Sequence, residues 1–363
     1  MRISALFTGL LVLPALAVAE PVNVGAILPL SGDMASWGVN VRRGVDLAAK
    51  NDPNIVTLYE DEGFCNTARA LNAANDLVAR RGTRFLVTGC LNGTKVITPL
   101  ATREKLLILS GGLLSGEEKQ PDVSSLLSLS GQIASEGAEL AKLVAQKGHS
   151  KVAFVRYDDE FTSAVYHSLT RSLIEQRAKG VVLDFPIASD FMDFSSVLTR
   201  VRQQGADALL VYVGEKQLLT LIKRRNELGL KLVTYSGYVI ESNGFTDADR
   251  KLLEGIVYAY PELAAPEDPA RIDFERKYQA EYGATERPNS NTYFVYDGIN
   301  IFRKALEYCA EKSPKCVRDY FLTKGPFRGA SGDFSYTESG FVNRRFVVKT
   351  IRNGAFVPLF PAT

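Results

Sequence analysis

Histidine is nearly missing from this chain. Its 363 residues include two histidines, one tryptophan, three methionines and four cysteines. His149, in Lys147-Gly148-His149-Ser150, reads as a solvated turn, and His167 falls on a predicted helix. Neither is placed for a Ser/His/Asp triad or a histidine-based metal site. A nucleophile elbow is also lacking: Gly329-Ala330-Ser331-Gly332 is the nearest run and its spacing is wrong. There is no phosphate-binding Gly-Lys-Ser/Thr loop and no Gly-x-Gly-x-x-Gly, so no catalytic residue, cofactor or metal is expected. Asp158-Asp159-Glu160 reads as a solvated loop rather than a cation site. A charge excess is absent too, with Lys+Arg 43 against Asp+Glu 41, which argues against a nucleic-acid partner. With 46% hydrophobic and 23% charged residues, bulk disorder is not expected.

The one long apolar run lies at the start. Residues 1–19, MRISALFTGLLVLPALAVA, join a positive Arg2 to an apolar stretch ending in Ala17-Val18-Ala19. These are the parts of a cleavable secretory signal. Pro14 interrupts the run, which falls short of the roughly 20 apolar residues of a membrane span. No cysteine follows, so a lipid anchor is not expected, and the mature chain is read as free in an exported compartment. An even cysteine count suits that compartment and favours disulfides. Cys65, Cys90, Cys309 and Cys316 allow three pairings, of which the local one, 65 with 90 and 309 with 316, is expected.

Beyond the signal, short apolar runs alternate with helical spacing. Strands are read at Val22–Leu28, Ile55–Tyr59, Arg84–Thr88 and Leu106–Leu109, with helices at Trp37–Lys50, Ala68–Arg80 and Lys95–Arg103. A second set starts at Gly131. It has strands at Lys151–Val155, Val181–Phe185, Ala208–Val213 and Leu230–Tyr235 and helices to Gln146 and at Phe161–Ala178, Phe194–Gln204 and Lys216–Leu228. Such alternation predicts an α/β protein of two doubly wound parallel-sheet lobes. A proline-bearing connector, Pro261–Pro269, leads to two helices, Asp268–Tyr282 and Thr292–Ala310, and the chain closes on a hairpin about Asn353-Gly354.

The first strand runs into Gly25-Ala26-Ile27-Leu28-Pro29-Leu30-Ser31-Gly32 and then Trp37-Gly38. In open parallel sheets ligands sit beyond the carboxyl ends of strands, so Trp37, read here as a loop residue, is a candidate apolar wall. The run Val24–Asn51, together with Tyr59-Glu60-Asp61, Gly229-Leu230-Lys231, Glu254-Gly255 and Tyr296-Asp297-Gly298, resembles the type I periplasmic solute-binding proteins of ABC importers, branched-chain amino acid class. The resemblance spans essentially the whole mature chain. It implies two lobes joined by three crossover segments, residues 20–132 plus 262–340 and 133–261 plus 341–363, closing on a ligand like a jaw. It also implies a periplasmic monomer that meets an inner-membrane permease transiently, and it matches a Cys65–Cys90 bridge seen in some members. A ligand-sensing subunit that passes the closed state to a receptor is the alternative role.

Carried over to this chain, the family's carboxylate-gripping loops fall at Cys90–Thr94 and Ser110–Leu113, which nominates Asn92, Gly93, Ser110 and the Gly112 amide. The positions where amino-acid-binding members place acids for the ammonium fall at Ile133 and Tyr238, with Glu215 the one substitute nearby. The second lobe offers Tyr157, Phe161, Gly214 and Tyr238, with Tyr293 a further aromatic. Aromatic faces with a few directed hydrogen bonds fit a small organic acid, aromatic or amino-acid-like, better than an ordinary α-amino acid.

Overall fold

The computed structural model describes residues 20–115, 124–176, 180–242 and 244–359; residues 1–19, expected to form a secretory signal, lie outside them. The first sheet contains β1 (Val22–Leu28), β2 (Ile55–Asp61), β3 (Phe85–Thr88), β4 (Leu107–Ser110) and β5 (Leu126–Ser128). Its order is β2-β1-β3-β4-β5 and every pairing is parallel. Helices α1 (Ala35–Ala49), α2 (Thr67–Arg81) and α3 (Leu91–Glu104) make its crossovers. α2 is bounded as its sequence dictates: Asn66 caps its first turn through the Arg69 amide, and Gly82 ends it in the left-handed conformation.

After β5 the chain leaves this sheet and starts α4 (Ile133–Gln146). The second sheet then forms from β6 (Val152–Tyr157), β7 (Val181–Ile187), β8 (Ala208–Tyr212), β9 (Val233–Ser236) and β10 (Val257–Pro261), linked by α5 (Glu160–Glu175), α6 (Phe194–Gln203), α7 (Glu215–Glu227) and α8 (Asp247–Leu252). These five strands run β7-β6-β8-β9-β10, so both sheets share one winding scheme. The chain next returns to the first sheet with α9 (Pro269–Tyr282), α10 (Ser290–Tyr308), α11 (Pro314–Thr323) and the short pair β11 (Phe327–Gly329) and β12 (Gly332–Phe334). Phe302 of α10 packs edge-on to Phe85 of β3, with centroids 4.9 Å apart. A third crossing brings β13 (Phe346–Arg352) and β14 (Ala355–Pro358) antiparallel onto β10. Asn353 and Gly354 turn this hairpin with φ of 54° and 72°, the double positive φ of a type I′ turn.

The first and third crossings are fastened to each other and to α10. Arg344 in the third donates to the Leu129 carbonyl of the first at 3.3 Å, and its guanidinium lies 3.9 Å from the ring centre of Phe294 on α10. Both disulfides are present, Cys65–Cys90 and Cys309–Cys316, with Cα–Cα distances of 5.7 and 5.9 Å. Among the described residues no helix is long and apolar enough to cross a membrane, and no group of acids, histidines and cysteines is arranged to hold a metal.

Two boundaries differ from the sequence reading in ways that matter. α1 starts at Ala35, two residues before the helix start read at Trp37, so Trp37 lies on its first turn, and the run Cys90–Thr94 opens α3 four residues earlier than the apolar spacing indicated. β5, β10, α8, α11 and the β11–β12 pair were not read from the sequence. Most are very short, and α11 starts at a Ser-Pro step that doubles as a turn signal.

Candidate functional site

In each sheet the winding direction reverses between the first-formed strand and its third, at β1/β3 and at β6/β8. A crevice opens at such a reversal, beyond the carboxyl ends of the strands. Here the two crevices face each other and enclose one cavity of about 260 Å³. Met34 and Trp37 reach it from the segment after β1, and Cys90, Leu91 and Asn92 from the segment after β3. Tyr157 and Phe161 come from the end of β6 and the start of α5, and Tyr212 and Val213 from the end of β8.

Glycines permit the close approach that shapes the first-lobe side. A Cβ on Gly38 would lie 2.1 Å from the Pro29 carbonyl oxygen, so only glycine lets α1 turn this tightly over the end of β1 and present Trp37. A Cβ on Gly112 would lie 2.6 Å from the Gly89 carbonyl oxygen, so the segments after β3 and β4 lie backbone to backbone.

The helix that enters from the first lobe is open at its start. Cys90 is the N-cap of α3, and no side chain caps the helix there; the sulfur of Cys90 is bound to Cys65. The positive end of the helix dipole is therefore not met by a capping side chain, and Cys90, Leu91 and Asn92 at this end border the cavity. Asn92 borders it, and its Oδ1 is buried without a partner. On the second-lobe side, Asp159 caps α5, accepting from the Thr162 N–H at 2.7 Å and its hydroxyl at 3.0 Å. Burial raises the Asp159 carboxyl above the usual range, while Thr162 and Arg156 pull the other way.

Aromatic rings bridge the lobes on either side of the cavity. Trp37 meets Tyr238 edge to face at 5.0 Å, and Phe64 meets Tyr157 at 5.5 Å. The Tyr157 hydroxyl donates to Gln217 Oε1 at 3.0 Å and is itself approached by the Gly214 amide; burial lifts it to about 12. Behind the wall, wholly buried Glu136 accepts from the Tyr238 N–H at 2.8 Å, and burial pushes its carboxyl up to about 7. Two polar bridges also span the cleft. The Ser36 hydroxyl donates to Glu215 at 3.0 Å, with Ser242 donating to the same oxygen, and Lys95 pairs with Glu160.

Of the nine residues nominated from sequence, Trp37, Asn92, Gly112, Tyr157, Phe161 and Tyr238 border this cavity. Gly93, Ser110 and Gly214 do not. Gly93 covers the buried carboxyl of Glu62. Ser110 joins Thr88 and Thr94 in a buried hydroxyl cluster under the Gly112 segment. Gly214 serves as the N-cap of α7. Tyr293 lies elsewhere, hydrogen-bonded to Glu275 and packed on Phe274. The sequence reading missed Phe64 and Tyr212. Phe64 precedes Cys65, whose bridge ties it to a strand end, and Tyr212 stands two residues before Gly214, so position along the chain held a usable signal for both.

The whole-chain comparisons agree with this architecture. A model of the family described as periplasmic binding protein matches residues 21–355. A Leu/Ile/Val-binding protein homologue of Brucella abortus is 21% identical over 334 residues, which cover 88% of this chain and 87% of the relative. A leucine-binding protein from Thermotoga maritima superposes with a TM-score of 0.81 at 18% identity, covering 93% of this chain and 98% of that one. A solute-binding protein of a Rhodopseudomonas palustris ABC transporter, solved in complex with benzoate, gives 0.82 at 17% identity over 94% and 96%. At these identities the structural likenesses speak to fold. The family match, covering nearly the whole chain, settles membership: the chain belongs to the type I periplasmic binding proteins of the branched-chain amino acid class, a family of solute-binding proteins rather than enzymes.

Proposed function

We propose that this protein is the substrate-binding component of an ABC importer, exported to the periplasm by its first 19 residues, and that its ligand is a small aromatic carboxylate. Residues 20–132 plus 262–340 form one jaw, and 133–261 plus 341–363 the other. The observation that carries the ligand reading is the uncapped start of α3 opening into a cavity walled by aromatic rings from both jaws. The carboxylate sits against the first turn of α3 with Asn92 and the Gly112 amide beside it, since helix N-termini favour anions. The ring lies among Trp37, Tyr157, Phe161 and Tyr238.

The acids nearest the cavity already have partners within the protein. Ile133 and Tyr238 stand where acids would, Glu215 is held by Ser36 and Ser242, and Asp159 caps α5. A desolvated, unpaired ammonium would cost several kcal/mol. The benzoate bound by the R. palustris protein supports this choice of ligand class. Ligand touches both jaws only when they are closed, so binding shifts the population to the closed form that a permease reads transiently. The protein acts as a monomer.

The test is a thermal-shift and calorimetric panel on the mature protein, refolded to strip carried-over ligand. It would contain benzoate, 4-hydroxybenzoate, leucine and valine. At about a thousand times its dissociation constant a ligand stabilises by roughly 4 kcal/mol, a shift of several degrees. Shifts with the benzoates and none with leucine or valine are expected; the reverse pattern overturns the reading.

A further inference from the structure

Beneath the α3 end of the cavity lies an acid that ligand binding, as described so far, does not use. Glu62 directly follows β2, has no exposed surface, and neither of its carboxyl oxygens has a hydrogen-bond partner. Its backbone is fixed: the N–H donates to the Leu28 carbonyl at 2.9 Å, and the carbonyl accepts from the Asn66 N–H at 3.1 Å. Phe64 and Cys65, just beyond it, border the cavity, and the Cys65–Cys90 bridge fastens this turn to the N-cap of α3. The carboxyl itself packs under the first turn of that helix. A Cβ built on Gly93 would stand 2.2 Å from Glu62 Oε2 and 3.4 Å from the Ala70 side chain. Glycine at 93 thus makes room for an acid directly beneath the anion seat.

Among the described residues no cation is ion-paired with Glu62. α2 presents Ala70 and α3 presents Gly93. Asp61 is the adjacent charge, and Arg69 is bound to Asp61, at 3.0 Å from Oδ2 and 2.9 Å from its carbonyl oxygen. Ser31 and the Leu30 and Gly63 amides hold the same Asp61 carboxylate, which lies at about 2. Burial, reinforced by the Asp61 charge, pushes the Glu62 carboxyl up to about 8.

We propose that Glu62 is a specificity-determining residue of the anion site, a proton-carrying acid whose neutral form leaves the start of α3 free for one ligand carboxylate and whose ionised form displaces that carboxylate. This rests on the reading that a carboxylate binds at α3. Two negative charges cannot share one helix N-terminus in a dry site without strong repulsion, so bound anion and ionised Glu62 exclude each other. The sign follows by linkage. A bound anion raises the acid's pKa further, so affinity is full while Glu62 is protonated in the free protein. It falls as pH rises past about 8, by up to tenfold per pH unit.

The experiment is calorimetric titration of the mature protein with benzoate from pH 6.5 to 9.5, on wild type, Glu62→Gln and Glu62→Met. The readout is the ratio of affinities at pH 7 and pH 9.5 within each protein. Wild type should lose about tenfold or more, and both permanently neutral variants should stay within about twofold. Equal losses in wild type and variants, or no loss in wild type, overturn the proposal while leaving the anion seat standing. No benzoate binding by wild type at pH 7 instead removes the seat, and the proposal with it. The Met variant, with no polar group to bury, keeps the comparison interpretable if Glu62→Gln folds poorly.

Discussion

Among the helix starts that border the cavity, those of α3 in the first lobe and α5 in the second are finished differently. α5 begins with Asp159, whose carboxylate takes up the Thr162 amide and hydroxyl. α3 begins with Cys90, whose sulfur is bound to Cys65 and which supplies no cap. The same backbone device is therefore closed off at α5 and left open at α3. With the carboxylate proposed at the start of α3, the apolar remainder of the ligand lies along the rings. The proposed orientation of the ligand rests on this difference in capping.

Substitutions can break this asymmetry in order of expected effect. Asn92→Asp puts a permanent carboxylate at the open end of α3, and benzoate affinity by calorimetry should fall by about a hundredfold, since the new charge takes up the dipole meant for the ligand. Unchanged affinity would move the anion seat elsewhere. Trp37→Ala removes the first-lobe ring that meets Tyr238; a loss of about tenfold or more is expected of a buried aromatic contact. Full affinity would take Trp37 out of the site. Asp159→Ala should lower stability in urea by about 1 kcal/mol through loss of the cap. It should raise benzoate affinity slightly by removing a negative charge from the wall, and a fall would make Asp159 a ligand contact instead.

The lobes were legible in the sequence because buried parallel strands read as apolar runs and the crossover helices carry 3.6-residue spacing. What escaped had physical reasons. β5 is three residues long, too short to show a period. The start of α3 was read as loop because Cys90-Leu91-Asn92-Gly93 has no capping side chain and a glycine in its first turn, and these same features open the helix to the cavity. Asp158-Asp159-Glu160 was read as a solvated loop. In the folded chain Asp159 caps a helix beside the cavity, and Glu160 reaches Lys95 on the other lobe. Contacts between residues so far apart in sequence leave no local trace. Six of the nine nominated residues border the cavity because the strand ends were correctly placed; the other three, Gly93, Ser110 and Gly214, support it from behind.

The Lys95–Glu160 bridge joins the lobes at a partly exposed edge, with about half the lysine side chain open to solvent. Residues of both lobes wall the cavity, so this bridge is one of the contacts that would break if the lobes parted. An exposed ion pair across the mouth weakens as salt is added, over a screening length of about 10 Å at 0.1 M. A half-exposed pair of this kind contributes about 0.2–1 kcal/mol and fades with salt, whereas the ring contacts beside it do not.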